Sequence, residues 1–272
     1  MIIILMVILG MDSLVPAGAL ADRLILLVTD AVSSPHSKRA YRKSLEEFFA
    51  WSAREGQGRP FSKALVAAYR VWLEDQHLAP ATINLRLAAV RKLAEEAADN
   101  RLLAPDLAAG IGRVKGAKRH GVRAGNWLER GQAERLLSLP DAATLKGKRD
   151  RAILGLLIGC GLRRGEVAAL TAGHVQQRDG RWALVDLTGK HGRIRTVPMA
   201  VWAKRALDDW TAAAQITDGP LFRAVTKSGA MAPDALTPQA LYYVVAEYAA
   251  LLGLEISPHD LRRTFGKLAH KG

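Results

Sequence analysis

The sequence predicts a mainly α-helical protein with a small β-sheet, organised as a helical bundle followed by a mixed α+β domain. Its length of 272 residues fits two domains, because one domain usually has about 100–200 residues. Apolar residues recur at intervals of three and four along most of the chain, whereas two short segments of the second half are rich in Val, Leu, Ile and Thr. A composition of 49% apolar and 24% charged residues excludes a disordered or collagen-like chain.

The sequence of residues 1–29 predicts no particular fold. Met1–Leu9 is wholly apolar, but Asp12 interrupts it before the length of about 20 residues that a spanning helix needs. No basic residue precedes Arg23, which argues against a secretory signal. We therefore expect no membrane association, and a true start codon at Met11 or later.

Residues 30–110 predict a bundle of four amphipathic helices. The first helix has one apolar stripe and ends at Gly56. The stripe consists of Tyr41, Leu45, Phe48, Phe49 and Ser52, and Trp51 lies off it. Ser62 and Thr82 are the expected caps of the second and third helices, and a short fourth helix follows Pro105.

A basic, glycine-rich segment predicts the domain boundary at residues 111–126. Between Ala108 and Leu128 the chain has no acidic residue. Its five positive residues are Arg113, Lys115, Lys118, Arg119 and Arg123. A flexible basic strap is suited to lie along a phosphate backbone, and a solvated linker with incidental charge is the alternative.

Residues 127–272 predict a domain of helices and one β-hairpin. The expected helices cover about residues 130–138, 148–160, 200–213 and 238–252, the last one capped by Thr237. Arg181–Leu187 and Gly192–Pro198 are rich in β-formers and flank Thr188–His191, a pattern typical of a hairpin.

The excess of positive charge predicts a polyanionic partner. The chain has 39 Lys and Arg residues against 26 Asp and Glu residues, a net charge of +13, which attracts nucleic acids and anionic membranes alike.

The single cysteine, Cys160, excludes an intrachain disulfide and favours the cytoplasm. Its place in the apolar run Ile153–Gly161 predicts a buried thiol.

Three motifs of the second domain could bind a phosphate. In Gly161–Glu166 an apolar helix ends and Arg163 can present its planar fork of donors. Lys190 is expected at the hairpin tip, where an ammonium can donate a proton to a leaving alkoxide.

The third motif begins with Ser257, which can cap a helix together with Asp260. His259 and Arg262 then project from one face of the first turn, beside backbone N–H groups that favour anions. Each motif alone also fits an ordinary helix end or a solvated hairpin.

In combination the motifs resemble the tyrosine recombinase, or phage integrase, family. Gly161-Leu-Arg-Arg-Gly-Glu166, Thr188-Gly-Lys190 and His259-Asp-Leu-Arg-Arg-Thr-Phe265 are similar to the first arginine motif, the hairpin lysine and the His-x-x-Arg box of that family. Upstream, Pro80–Leu87 resembles the third helix of the family's core-binding domain. The resemblance covers about residues 30–272.

The resemblance implies a SAM-like helical core DNA-binding domain at 30–110, the basic linker at 111–126 and an incomplete catalytic domain at 127–272. It implies double-stranded DNA as the partner, other recombinase protomers in a synaptic tetramer, and DNA recombination and integration as the process. In the family a tyrosine attacks the scissile phosphate, and the 3′-phosphotyrosyl link conserves the bond energy. No metal ion and no cofactor are therefore expected.

By the same resemblance, individual residues take roles at the scissile phosphate. Arg163 and Arg262 would stabilise charge on its non-bridging oxygens, and Lys190 would protonate the leaving 5′-oxygen. His259 would assist proton transfer or bind the phosphate, and Glu166 would orient its neighbours. The residues expected to contact DNA elsewhere are Lys43, Arg86, Arg91, Arg113, Lys115, Lys118, Arg119, Arg193 and Arg195.

The nucleophile and the second His or Trp of the family have no counterpart here. Tyr41, Tyr69, Tyr242, Tyr243 and Tyr248 all precede His259, and those on the last predicted helix are expected to pack. The sequence ends at Gly272, where the family continues. We therefore expect a truncated recombinase that binds DNA and cannot cleave it alone. Two alternatives stay open, namely a nuclease-dead regulator that competes with full-length recombinases and a basic scaffold for RNA or a protein.

Overall fold

A computed structural model of the chain describes residues 17–56, 58–118, 126–189, 192–226 and 228–270. The chain divides into two units, residues 1–122 and residues 123–272. The helices and strands confirm the predicted fold class, which is mainly α-helical with small antiparallel sheets. Within the described residues, no helix combines the length and the apolar character that crossing a membrane requires.

The first unit consists of five described helices. They are α1 (Ala17–Asp30), α2 (Pro35–Glu55), α3 (Lys63–Asp75), α4 (Pro80–Asp99) and α5 (Pro105–Gly112). Helix α1 falls mostly in the segment that the sequence left unassigned. Its buried residues Leu20, Leu24, Ile25 and Val28 contribute to the core of this unit, which is why the segment is helical.

Aromatic side chains fill the centre of this unit. The rings of Phe48 and Tyr69 meet edge to face with centroids 5.0 Å apart, and Trp51 lies 4.9 Å from Tyr69. The prediction that Trp51 lies off the apolar stripe is wrong, since only 3% of the residue is exposed. Helix α3 packs against the side of α2 that carries Trp51. The buried surface of α2 is therefore wider than the apolar stripe predicted from the sequence.

The caps of the first unit agree with the sequence except at α4. The hydroxyl of Ser62 accepts the N–H of Leu65, and Gly56 ends α2 as predicted. Helix α4 begins at Pro80 behind Ala79, so the prediction that Thr82 caps it is wrong. A proline fits the first helical position because that position needs no N–H donor.

The start of the basic strap is fixed to α4. Asn84 exchanges two hydrogen bonds with the backbone of Ala117, at 2.9 and 3.0 Å, and the guanidinium of Arg91 donates to the carbonyl oxygen of Val114. Val114 is buried. The expected flexibility of the strap therefore does not extend to residues 114–117, while residues 119–125 lie outside the described residues.

The second unit combines six α-helices and one 3-10 helix (Ala172–His174) with two small sheets among its described residues. The helices are α6 (Arg130–Ser138), α7 (Leu145–Gly159), α8 (Arg164–Ala168), α9 (Val201–Ala213), α10 (Pro238–Leu251) and α11 (Pro258–Ala269). The strands are β1 (Val175–Arg178), β2 (Arg181–Thr188), β3 (Ile194–Pro198), β4 (Arg223–Val225) and β5 (Met231–Ala235). They form an antiparallel β1-β2-β3 sheet and a β4-β5 pair.

The predicted hairpin is confirmed as β2 and β3, in a register that pairs Leu184 with Val197. Strand β1 and the β4-β5 pair were not predicted, because strands of three to five residues carry little periodicity. Helix α7 is buried on most sides, and Trp210 of α9 is fully buried with its indole N–H donating to the carbonyl of Leu221 at 2.8 Å. This rigid core carries the ends of α7, α8 and α11 that bear the predicted motifs.

Candidate functional site

The turn between α7 and α8 places Arg163 at the surface of the second unit. Gly161 adopts a φ of +58°, and a Cβ there would collide with the ring of Phe265. The glycine therefore permits both the turn and the close packing of α11 against it. Leu162 is fully buried, and the next side chain, that of Arg163, is 48% exposed.

Glu166 lies beneath Arg163 and binds two guanidiniums. Its Oε1 accepts from Nη1 of Arg163 at 2.8 Å and from Nη1 of Arg195 at 2.9 Å. Its Oε2 accepts from the backbone N–H of Arg163 and from Nη2 of Arg195, both at 2.8 Å. Burial disfavours the charged carboxyl, but the hydrogen bonds from Arg195 and Arg163 outweigh it and lower the pKa of Glu166 to about 2.

Arg262 on α11 joins the same group of charges. Its Nη1 donates to the carbonyl oxygen of Gly161, which anchors α11 at the end of α7. Burial and then the positive charge of Arg163 lower the pKa of Arg262, and the charge of Arg195 adds to this effect. We call Arg163, Arg195 and Arg262 around Glu166 the arginine cluster. Its three guanidiniums against one carboxylate leave two positive charges uncompensated.

His259 stands in the first turn of α11, and its side chain is exposed. The predicted capping pair is present, because Oδ2 of Asp260 accepts the N–H of Ser257 at 2.9 Å and its hydroxyl at 2.7 Å. Burial raises the pKa of Asp260, but these bonds and the one from Arg263 lower it below its usual value. The helix end is thereby fixed, with His259 and Arg262 one turn apart along it.

Residues 126–128, at the start of the second unit, bind α11 through several contacts. The backbone N–H of Leu128 donates to the hydroxyl of Thr264 at 2.8 Å, and Asn126 donates its N–H to Oδ1 of Asp260 at 3.2 Å. The ammonium of Lys267 lies 4.1 Å from the ring centre of Trp127. These contacts rigidify α11, and sequence reasoning missed them because their partners lie more than 130 residues apart.

Lys190 and Arg119 lie outside the described residues. Among the other residues expected to contact DNA, the exposed ones are Lys43, Arg113, Lys115, Lys118 and Arg193. The remaining ones already bind protein groups, since Arg86 pairs with Glu47 at 2.6 Å, Arg91 donates to a backbone carbonyl and Arg195 binds Glu166. Charge alone could not separate these two sets in the sequence.

The tyrosines differ sharply in their surroundings. Tyr69 is fully buried, and burial raises the pKa of its hydroxyl to about 12. Tyr248 is 6% exposed, and burial together with the charge of Asp150 raises its pKa to about 12. The expectation that all tyrosines of α10 pack is wrong for Tyr242 and Tyr243, which are 37% and 63% exposed. Cys160 is buried as predicted, and burial raises the pKa of its thiol to about 12.

Comparisons with known proteins agree with these motifs in both units. The family profile described as Phage integrase family matches residues 126–272, and that of the phage integrase N-terminal SAM-like domain matches residues 24–100. A tyrosine recombinase of Synechococcus elongatus is 32% identical over 266 aligned residues, covering 89% of this chain and 78% of that protein. Tyrosine recombinase XerD of Vibrio cholerae is 29% identical, covering 83% of this chain and 74% of that protein.

Solved structures show the same fold. A lambda integrase dimer bound to a COC′ core site superposes with a TM-score of 0.69 at 15% identity, covering 94% of this chain and 71% of that one. The XerH site-specific recombinase in a post-cleavage complex with difH superposes with a TM-score of 0.67 at 16% identity, covering 94% and 74%.

Proposed function

Because the chain belongs to the phage integrase family of tyrosine recombinases, we propose that it binds duplex DNA and holds a backbone phosphate in its second unit for site-specific recombination. The observation that carries this proposal is the arginine cluster, where two positive charges remain after Glu166 is neutralised. Such a cluster fits one phosphodiester group of a nucleic acid, because guanidiniums offer paired donors to its two non-bridging oxygens.

Each residue has a role in this chemistry. Arg163 and Arg262 bind the non-bridging oxygens and stabilise the charge that develops there during attack on phosphorus. His259, exposed one turn before Arg262, donates to the phosphate or moves a proton. Lys190, which follows Gly189 at the end of β2, is assigned by family resemblance to protonate the leaving 5′-oxygen.

The DNA backbone away from this phosphate would meet the exposed basic residues. Lys115 and Lys118 flank the backbone that Asn84 fixes, so the strap presents their charges from a defined position. Lys43, Arg113 and Arg193 are the other exposed positions assigned to phosphate contact. The proposed location is the cytoplasm, and association of protomers on DNA is part of the proposal, since lambda integrase forms a tetramer on a Holliday junction.

Salt-dependent binding to a fluorescent duplex of arbitrary sequence tests the DNA interaction. The logarithm of the affinity should fall linearly with the logarithm of salt concentration, by about 0.9 for each phosphate neutralised. R163Q and R262Q should each weaken binding by about tenfold. R164Q and R263Q remove the same charge from the neighbouring residues and should have a smaller effect. Equal losses in all four variants would show general attraction without a phosphate site.

We further propose that a polypeptide of these 272 residues binds DNA without cleaving it. Tyr69 and Tyr248 are buried with pKa values of about 12, which disfavours the phenolate that attacks phosphorus. Tyr242 and Tyr243 are exposed on α10 and Tyr41 is half-buried on α2, and none of them lies in a context that resembles the nucleophile of the family.

Nicked suicide duplexes that trap phosphotyrosyl links test this point, with a full-length relative on its own site as the positive control. Denaturing electrophoresis should show no covalent protein–DNA adduct for the 272-residue polypeptide. Any such adduct would overturn the proposal, and its disappearance in Y242F or Y243F would identify the nucleophile.

A further inference from the structure

Arg195 of β3 is the most tightly held guanidinium of the arginine cluster. It forms a bidentate pair with Glu166, with distances of 2.9 Å from Nη1 to Oε1 and 2.8 Å from Nη2 to Oε2. Each carboxylate oxygen also accepts one hydrogen bond from Arg163. A carboxylate offers about four acceptor positions, so Glu166 is saturated by these two arginines.

The two arginines meet the carboxylate from different segments of the chain. Arg163 lies directly before α8, whereas Arg195 lies 29 residues beyond Glu166 on the hairpin. The side chain of Glu166 is 7% exposed, compared with 31% for Arg195 and 48% for Arg163. Water therefore screens the pair with Arg163 more than the pair with Arg195, and the bidentate pair is the firmer anchor of the carboxylate.

Both guanidiniums also lie beside Gly189, the residue that follows strand β2. A Cβ built on Gly189 would lie 3.1 Å from Nη1 of Arg195 and 3.9 Å from Nη1 of Arg163. The N–H of Gly189 also donates to the carbonyl of Arg193 at 2.7 Å. The guanidiniums of both arginines thus pack against the backbone from which Lys190 continues.

We propose that Arg195 is a positioning residue, which holds Glu166 and through it Arg163 and the hairpin end at Gly189, rather than a residue that binds DNA phosphate directly. This inference rests on the proposed function, because the group being positioned is the arginine that binds phosphate. It assigns to Arg195 a role different from the DNA contact expected from its charge. The bidentate fork is required, so a lysine at this position would not substitute.

Calorimetric titration with orthovanadate, a tetrahedral mimic of phosphate, separates the two roles. As a positioning residue, Arg195 needs its carboxylate, so R195Q and E166Q should each weaken vanadate binding by about tenfold, and the double variant should be no weaker than either. A direct phosphate contact predicts the opposite sign for E166Q, since removing the negative charge would strengthen binding, and additive effects in the double variant. That result would overturn the proposal.

Two further variants sharpen the test. R195K keeps the charge but loses the fork, and should weaken vanadate binding about as much as R195Q does. R181Q removes an exposed arginine from the other end of the hairpin and serves as the matched control, with binding like that of the wild type. Wild-type affinity in R195K would show that charge alone matters and would contradict the positioning role.

The side-chain N–H resonance of Arg163 reports on its position without any ligand. It is assigned by its loss in R163Q, and it should shift or broaden in R195Q while staying unchanged in R181Q. A wild-type chain that binds neither DNA nor vanadate would refute the proposed function, and this resonance would still decide the positioning role. An unchanged Arg163 resonance in R195Q would overturn that role.

Discussion

Asp150 and Glu166, two carboxylates of the second unit, are each bound by cations, but their surroundings differ in net charge. Asp150 of α7 is fully buried and accepts hydrogen bonds from Nε of Arg149 at 2.8 Å, from Lys146 at 2.9 Å and from the hydroxyl of Tyr248 at 3.0 Å. Glu166 accepts four hydrogen bonds from two arginines at the surface. Saturation of the carboxylate is common to both.

The difference lies in what remains after the carboxylate is neutralised. Around Asp150, the side chain of Arg149 is 6% exposed, and the partly exposed Lys146 also binds the exposed Glu247 at 2.8 Å, so two cations meet two carboxylates. Around Glu166, three guanidiniums meet one carboxylate and Arg163 reaches solvent. The same ion-pair chemistry stabilises the fold where charges cancel, and leaves two positive charges for the phosphate site that we propose where they do not.

The largest expected effect is on stability, at Asp150. D150N leaves the buried guanidinium of Arg149 without a counter-charge, which should lower the free energy of unfolding by about 3–5 kcal/mol. Urea denaturation followed by circular dichroism measures the loss. E95Q, which breaks an exposed ion pair with Lys92, is the control and should cost less than about 0.5 kcal/mol. Similar losses for the two variants would contradict the distinction drawn between buried and exposed carboxylates.

The next largest loss of stability is expected from substitution of Gly161, in the turn that precedes Arg163. G161A forces a side chain into a left-handed conformation and into the ring of Phe265, so we expect a loss of about 2–3 kcal/mol in unfolding free energy. G165A changes a glycine of α8 with open space around it and should stabilise the protein slightly. A neutral G161A would mean that α11 does not pack tightly on this turn.

The difference in unfolding free energy between the wild type and E166Q should depend on pH. The pKa of Glu166 is lowered to about 2 in the folded protein, so its carboxylate contributes stability above the unfolded pKa of about 4.5 and loses it as pH falls towards 2. The stability advantage of the wild type over E166Q should therefore shrink by about 1 kcal/mol between neutral pH and about pH 3.5. Urea denaturation across this range measures it, and a constant difference would mean that Glu166 is not held ionised by its arginines.

The smallest expected effect concerns a single hydroxyl at Asp150. Y248F removes one hydrogen bond to the buried carboxylate and should cost about 1 kcal/mol of unfolding free energy. Y243F alters a side chain that is 63% exposed and should cost nothing measurable. Thermal denaturation of both variants provides the check, and equal costs would count against a structural role for Tyr248.

The sequence predicted the elements whose determinants are local. The hairpin, the Thr237 and Ser257 caps and the end of α2 at Gly56 follow from turn and capping residues, and the structure has them within a few positions. The order of the three motifs predicted the family, which the profile matches confirm. That match contradicts the alternative of a basic scaffold with accidental motifs.

Features that depend on distant partners escaped prediction. The burial of Trp51 depends on α3, and the helix at residues 17–30 is stabilised by packing in the first unit. Arg195 looked like a surface cation because its carboxylate lies 29 residues earlier in the chain. Pairing between distant residues decides whether an arginine is available to a ligand, and composition does not reveal it.

The most direct test of the account is to locate an anion on the protein. Crystals of the chain soaked with tungstate, a tetrahedral anion with strong anomalous scattering, should show a tungsten peak about 4 Å from guanidinium nitrogens of Arg163 and Arg262, with the tungstate oxygens at hydrogen-bond distance from them. They should show no peak at Arg149, whose charge is cancelled by Asp150. Tungstate bound only away from the arginine cluster would contradict the claim that this cluster is built to hold a phosphate.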